Sequence, residues 1–371
     1  MSLIFAEIFT GMTENDFIPS TYRKTAEKGR FTWRAPSNIA LVKYWGKYEE
    51  QRPANPSLSF TLSKCTTTTT LSYRKLPVRP EDFSFDLLFE GHPREDFRAK
   101  ISVFFQRIAP YFPFLKDYHF TIETANSFPH SSGIASSASS MSALALCIMD
   151  LEKTLDPGLT DELFYKKASF TARLGSGSAC RSVKGNPVVW GVHPQIPESS
   201  DKYGIPYPHP VHEVFSRYQD TILIVSSGEK QVSSSEGHRL MHHHPFAEKR
   251  FAQAGDNLSR LKESLHTGNL KSFITVVESE ALTLHAMMMT GLPCFILMKP
   301  NTLKIINAVW AFRERTGLHP CFTLDAGANV HLLYPKSEKE QILDFINTTL
   351  VAYCENEYYI CDEVGDGAKK L

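Results

Sequence analysis

Ser127–Leu146, SFPHSSGIASSASSMSALAL, joins a proline, a glycine and a run of serines and alanines directly to an apolar, alanine-rich helix. Small side chains let the backbone approach a ligand closely, and the hydroxyls supply hydrogen-bond donors. A helix starting near Ser136 or Ser137 aims unpaired N–H groups and the positive end of its dipole at the same point. The segment therefore reads as an anion cradle, with phosphate the best fit. No lysine completes the GxxxxGK[ST] spacing, which argues against an ordinary P-loop NTPase. A serine-rich turn leading into a core helix has the same local composition, so the rest of the chain must decide.

Working outward, Tyr118–Thr124 reads as a strand feeding the cradle and Asp96–Ile108 as a helix. Leu58–Tyr73 and Phe83–Phe89 read as strands of an antiparallel sheet. Downstream, the cradle helix stops near Asp156-Pro157-Gly158, and another runs from Asp161 to Gly175. Val188–Gly191 is a short buried strand. The stretch His193–Pro210, rich in turn formers, marks a lobe boundary. Beyond it, Thr221–Val225 is a strand and 246–264, 268–289 and 301–316 are helical. Phe322–Leu324 and Val330–Tyr334 are strands split by a turn at Gly327, Glu338–Leu350 is helical, and Tyr358–Cys361 is a closing strand. No repeated parallel units occur, so the expected fold is α+β with two lobes. Residues 1–30 form a polar leader packed on the surface or mobile, 31–210 an N-terminal lobe that carries the cradle, and 211–371 a C-terminal lobe.

The 371 residues carry 40 basic and 40 acidic side chains, leaving no field to recruit nucleic acid or an anionic membrane; a small-molecule partner is the expectation. No apolar run reaches membrane-spanning length, and the opening MSLIFAEIFTGM lacks the basic start of a secretory signal. Seven cysteines without a CxxC pair fit reduced thiols in the cytoplasm better than a disulfide framework or a zinc site.

Four further stretches carry candidate chemistry. Ala35–Lys47, APSNIALVKYWGK, sets Lys43 and Lys47 on either side of Tyr44-Trp45, a pattern suited to a multiply charged anion or to biasing a nearby carboxylate; two solvated lysines on a strand fit equally. Gly175–Ser182, GSGSACRS, surrounds Arg181 with glycines and hydroxyls, as a carboxylate or phosphate site does, or a helix-capping loop. Cys180 within it has no base beside it and reads as a packing thiol. Lys230–Gly237, KQVSSSEG, fits a ligand wall or a polar surface loop, while His242-His243-His244 cannot all face one ion on a helix. Asp325, opening DAGAN between two strands, is a candidate base or a self-bonded turn aspartate.

In order and spacing, these motifs resemble the GHMP kinase superfamily and, within it, the diphosphomevalonate decarboxylases. PHSSGIASSAS (Pro129–Ser139) is similar to the superfamily's ATP-phosphate motif. NIALVKYWGK (Asn38–Lys47), GSGSACRS and LDAGANV (Leu324–Val330) are similar to segments specific to the decarboxylases. The resemblance covers the chain from about Phe31 onward. It implies ATP and Mg²⁺ as cofactors, a small-molecule substrate and a homodimer. By the same resemblance, Asp325, Lys43 and Arg181 are catalytic, and Tyr44, Trp45, Lys47, Ser176, Ser178 and Ser234 bind substrate. Pro129, Ser132, Gly133, Ala135, Ser136, Ser137 and Ala138 surround the ATP phosphates, with Ser136 and Ser137 helping to hold the metal. The chain departs from the family pattern at Ser235, usually threonine or arginine, at His238, usually methionine, and at Ala328, usually proline. Alternative implications are action on 5-phosphomevalonate or mevalonate 3,5-bisphosphate, a GHMP kinase that stops after phosphorylation, and an inert GHMP-fold protein.

Overall fold

The computed structural model describes residues 12–129, 134–228 and 234–371. In chain order the first part holds strands β1 (Lys28–Val42), β2 (Ser57–Lys75), β3 (Ser84–Phe89) and β4 (His92–Pro93), helix α1 (Glu95–Ile108), strand β5 (Tyr118–Asn126), helices α2 (Ser136–Leu155) and α3 (Asp161–Gly175), and short strands β6 (Val188–Trp190) and β7 (Ile205–Pro206). The second part holds β8 (Gln219–Leu223), α4 (Ser234–Leu240), α5 (Ala247–Thr267), α6 (Leu270–Met289), α7 (Pro300–Thr316), β9 (Cys321–Thr323), β10 (Val330–Tyr334), α8 (Lys339–Phe345), β11 (Tyr359–Glu363) and β12 (Lys369–Lys370). Among the described residues the first sheet runs β12-β1-β2-β5-β3-β4 with β6 and β7 added beside β2, and the second runs β11-β8-β10-β9.

β1 explains how the cleft is supplied. Its outer half is partly exposed, but from Ala35 to Val42 every residue is buried, because α2 packs on one side and α6 on the other. A strand covered on both faces can be apolar without alternation, as SNIALV is. Its far end delivers Lys43 between the two sheets. α2 lies on β1 and β2 and is pinned by Trp33, whose indole N–H donates to Asp150 at 2.6 Å. Thr160 caps α3 by accepting the Leu163 N–H at 3.2 Å. One apolar cluster runs from the first sheet into the second part, joining Phe60 to Phe273 and Tyr218, and a second fills the space between β8–β10 and α7–α8.

Two expectations are corrected and one is sharpened. β2 and β3 are not neighbours: β5 lies between them, antiparallel to β2 and parallel to β3, since the α1 crossover returns the chain alongside β3. The described part of the leader lies on the surface, mostly exposed, yet it is not loose. Phe17 is buried and stacks on Phe170 with ring centroids 4.5 Å apart, and Glu14 pairs with the buried Arg173 at 3.1 Å. Nor does β11 close the chain. The Asp362 carboxylate accepts the N–H groups of Ser63, Lys64 and Cys65 at 3.0, 2.8 and 2.7 Å, and β12 then pairs with β1, tying the C-terminus to the first sheet.

Candidate active site

Lys43 stands one residue beyond β1 and is buried. Its Nζ meets Oδ1 of Asp325, two residues past β9, at 2.9 Å, while the Asp325 side chain stays about a third exposed at 32%. A cation is thus fixed inside the protein against a carboxylate that opens to the cleft. The Lys43 backbone is held as firmly. Its N–H donates to Glu280 Oε2 at 2.8 Å, and its C=O accepts from Asn55 Nδ2 at 2.9 Å and Arg250 Nη2 at 3.3 Å. Glu280, on α6, is fully buried; it also accepts both Nη groups of Arg250 at 3.0 and 2.6 Å and Nδ2 of Asn257 at 2.7 Å. On the other side, Nε2 of His285 donates to the Asp325 carbonyl at 3.2 Å. Burial pushes the His285 pKa down to about 4, so the ring is neutral at pH 7 with its proton on the donating nitrogen.

Burial drives the Lys43 pKa below the ordinary lysine range; Asp325 and Glu280 oppose this, and Arg181 adds to it. Since only the ammonium can pair with Asp325, the pair is lost as pH rises through this lowered pKa. Activity is therefore expected to fall on the alkaline side earlier than a solvated lysine dictates, and the residual activity of Lys43→Arg should show no such limb. A pH–kcat/KM profile in which both proteins share one alkaline limb would rule Lys43 out as its source.

Arg181 lies in the short helical turn Gly177–Ser182 that follows α3, and it is buried. Nε donates to Asn38 Oδ1 at 3.3 Å, Nη1 to Ser57 Oγ at 2.6 Å, and the guanidinium sits 5.7 Å from the Trp190 ring centre. Asn38 in turn donates to Ser182 Oγ at 2.7 Å and to the Ser178 carbonyl at 3.2 Å, which orients the whole turn. Tyr44 lies over Trp190, and its buried hydroxyl has no hydrogen-bond partner among the described residues. Gly177 leaves it room, since a Cβ there would come within 2.8 Å of the hydroxyl. A buried unpaired hydroxyl costs free energy, and a ligand oxygen would relieve it. Lys47 is half-buried and donates to Gln51 Oε1 at 2.8 Å; burial lowers its pKa and the charge of Arg107 lowers it further. Arg107 is itself anchored on the Leu174 carbonyl at 2.9 Å.

The cradle helix meets this group directly. α2 begins at Ser136 behind Ala135, which adopts the left-handed conformation (φ 39°, ψ 41°) and offers no side-chain cap. The first N–H groups of α2 therefore have no side-chain acceptor at the N-cap position, the arrangement a phosphate fills. The exposed Ser137 hydroxyl lies 3.3 Å from that of Ser176, joining the cradle to the Arg181 turn. Ala138 is buried beneath it and Pro129 is exposed before it. Ser132 and Gly133 lie outside the described residues; Ser234 opens α4, but its side chain is likewise outside the description.

Trp45 is buried with Met241, Leu284, Met287 and Met288, and its indole N–H, like the Tyr44 hydroxyl, has no partner among the described residues. Cys180 is buried and burial pushes its thiol up to about 12, in keeping with packing rather than nucleophilic chemistry. His242 and His243 are exposed, whereas His244 bonds Thr290 at 3.1 Å. Among the described residues no group of three or more His, Cys, Asp or Glu side chains is placed to hold a metal. The sequence reading missed Glu280, Arg250, Asn257, Asn55, Asn38, Ser57 and His285. For Glu280 a signal existed: acidic residues at 278 and 280 inside the apolar helix LKSFITVVESEALTLHAMMM require a buried cation somewhere.

A buried lysine–aspartate pair, a buried arginine and a helix N-terminus without a side-chain cap are gathered between the two sheets, an arrangement suited to a small polyanionic ligand. The family profile for the diphosphomevalonate decarboxylase-like N-terminal domain matches residues 35–201, and that for the mevalonate 5-diphosphate decarboxylase C-terminal domain matches 221–367. The mevalonate diphosphate decarboxylase structure from Legionella pneumophila superposes with a TM-score of 0.73 at 30% identity, covering 90% of this chain and 100% of that one. A structure described as MDDEF in complex with MVAPP, AMPPCP and magnesium gives a TM-score of 0.78 at 27% identity, covering 93% of this chain and 99% of that one. The diphosphomevalonate decarboxylase of Aspergillus fumigatus is 26% identical over 339 residues, 86% of this chain and 80% of the relative. The chain belongs to the diphosphomevalonate decarboxylase family. No helix of the described residues is long and apolar enough to cross a membrane.

Proposed function

We propose that this protein phosphorylates the tertiary 3-hydroxyl of 5-diphosphomevalonate with ATP and then releases phosphate and CO₂ to give isopentenyl diphosphate, with Asp325, Lys43 and Arg181 as its catalytic residues. The observation that carries the assignment is the Lys43–Asp325 pair at 2.9 Å, set in one cleft with Arg181 and the start of α2. A tertiary alcohol is a poor nucleophile, and a carboxylate that accepts its proton as the oxygen attacks phosphorus raises its reactivity. Lys43 keeps Asp325 ionised for that step. The 3-phosphate is a far better leaving group than hydroxide. As its C–O bond breaks, the electrons of the bond to the carboxylate form the alkene and CO₂ departs.

Arg181 is the group assigned to the substrate carboxylate. Its Nε and Nη1 bonds to Asn38 and Ser57 fix the guanidinium plane, and Nη2 is the nitrogen assigned to the ligand. The unpaired Tyr44 hydroxyl, Ser176 and Ser178 supply neutral donors along the same wall. Lys47 with Arg107 beside it is assigned to the 5-diphosphate, and the family resemblance assigns Ser234 to substrate binding as well.

ATP supplies the phosphoryl group, and Mg²⁺ bound to its phosphates neutralises their charge. The residues fit that load. The N-terminus of α2 has no side-chain cap, the family resemblance assigns Pro129, Ser132, Gly133 and Ala135–Ala138 to the ATP phosphates, and the hydroxyls of Ser136 and Ser137 would help to hold the metal. The reading includes a cytoplasmic homodimer: seven unbridged cysteines support the compartment, and the family resemblance alone supports the dimer.

The test is to incubate the purified protein with ATP, Mg²⁺ and, separately, mevalonate, 5-phosphomevalonate and 5-diphosphomevalonate, following ADP and CO₂ together. Both products are expected with 5-diphosphomevalonate at the highest kcat/KM. ADP without CO₂ would make the protein a kinase, and a preference for 5-phosphomevalonate would reassign its substrate.

A further inference from the structure

Gly46 stands in the turn between Trp45 and Lys47 with φ +97°. Its N–H donates to Nδ1 of His238 at 3.0 Å, and its C=O accepts from the Ala54 N–H at 3.1 Å, so both faces of this turn are pinned. The His238 ring is buried, with its centre 4.2 Å from that of Tyr44 and 4.8 Å from that of Trp45. The preceding residue is Gly237, where a Cβ would come within 2.3 Å of the Trp45 indole. α4 therefore presses on Tyr44–Lys47 through two adjacent residues, a glycine that admits the indole and an imidazole that accepts the turn's N–H.

We propose that His238 is a positioning residue for the anionic tail of the substrate: by accepting the Gly46 N–H it fixes the turn that presents Lys47, and thereby ties α4 to the diphosphate end of the cleft. This rests on the reading that Lys47 meets the 5-diphosphate. The chemistry is specific to an imidazole or a similar acceptor. A methionine in this place fills the same space but has only a weakly accepting thioether, and the buried Gly46 N–H would be left without a strong partner. Burial, reinforced by the charges of Lys47 and Arg181, pushes the His238 pKa down to about 3. The ring is thus neutral throughout the working range, its Nδ1 lone pair is always available, and its proton is on Nε2.

The experiment is a double-mutant cycle of His238→Met with Lys47→Ala, with His238→Gln as the conservative variant, because an amide oxygen can accept the same N–H. Steady-state constants for 5-diphosphomevalonate are measured at saturating ATP, and the affinity of inorganic diphosphate is measured by calorimetry in the presence of saturating ADP. His238→Met is expected to raise KM for the substrate about tenfold, the effect of one lost buried hydrogen bond, with kcat and the KM for ATP little changed. In the Lys47→Ala background the same substitution should add less than about twofold, since coupled residues do not add, and His238→Gln should recover most of the loss. Equal effects in both backgrounds, a matching rise in the KM for ATP, or unchanged diphosphate affinity in His238→Met would each overturn the proposal. Lys47-dependent diphosphate binding in a wild type that does not turn over 5-diphosphomevalonate would overturn the substrate reading and leave His238 to be judged on the diphosphate affinities.

Discussion

Asp325→Ala is expected to lose about 10³-fold or more in kcat, within or beyond the range that a positioned general base contributes, while ATP affinity stays near that of the parent. The separation follows from the layout. Asp325 enters the cleft from the end of β9, on the second sheet, whereas the ATP phosphates are assigned to the start of α2, on the first. The substitution also removes the counter-charge of Lys43, which burial already pushes towards its neutral form and which Asp325 does most to keep charged. The variant therefore loses the proton acceptor and weakens the cation together. Asp325→Asn keeps the shape and a hydrogen-bond partner for Lys43 but cannot take a proton, so it should be nearly as inactive and more stable. Steady-state rates, equilibrium ATP binding and thermal unfolding of the two variants check this. Near-normal turnover in either would remove Asp325 from the role of base.

The second large effect is on stability and arises behind the site. Glu280→Ala is expected to destabilise the protein by about 3–5 kcal/mol, the cost of leaving one partner of a buried ion pair uncompensated. Glu280 and Arg250 are both almost completely buried, joined through two hydrogen bonds, and Glu280 also receives Asn257 and the Lys43 N–H. Its loss strands a guanidinium, an amide and a backbone donor together. Because the penalty belongs to the unpaired survivor, the double variant Glu280→Met with Arg250→Met should lose less than the sum of the single changes. Thermal and urea unfolding of the three variants measures this, and strict additivity would show that the pair is not coupled. Glu280→Ala should also lower kcat, since Glu280 holds the Lys43 backbone in place.

Much of the fold was legible because the periodicities are strong. α1, α3, α6, α7 and β10 fall close to where apolar spacing and caps put them. What escaped depends on long-range pairing. β3 beside β5 depends on the α1 crossover, not on a pattern within either strand, and β12 is two lysines in a polar tail that become a strand only by lying against β1. α4 was read as a polar stretch because SSEGHRL has few apolar residues and a glycine that ordinarily disfavours helix. That glycine is explained by the Trp45 indole it admits.

The site divides in the same way. Lys43, Arg181 and Asp325 were found through motif order, since nothing local says that residues 282 positions apart will meet. The burial of Trp45 among methionines was not legible, because an aromatic beside two lysines reads the same from sequence whether its ring is exposed or packed. Asn38 and Ser57, which hold Arg181, are ordinary strand residues until the third dimension is known. His238 was noticed only as a departure, and its contacts give it a purpose.

In the proposed mechanism Asp325 promotes phosphorylation of the tertiary hydroxyl, whose oxygen then leaves as phosphate while the carboxylate leaves as CO₂. This mechanism is tested most directly with 5-diphosphomevalonate carrying ¹⁸O in the 3-hydroxyl, by mass analysis of the inorganic phosphate released. Each phosphate formed with CO₂ is expected to contain one labelled oxygen. Unlabelled phosphate accompanying CO₂ would contradict it, because the hydroxyl would then have left without being phosphorylated.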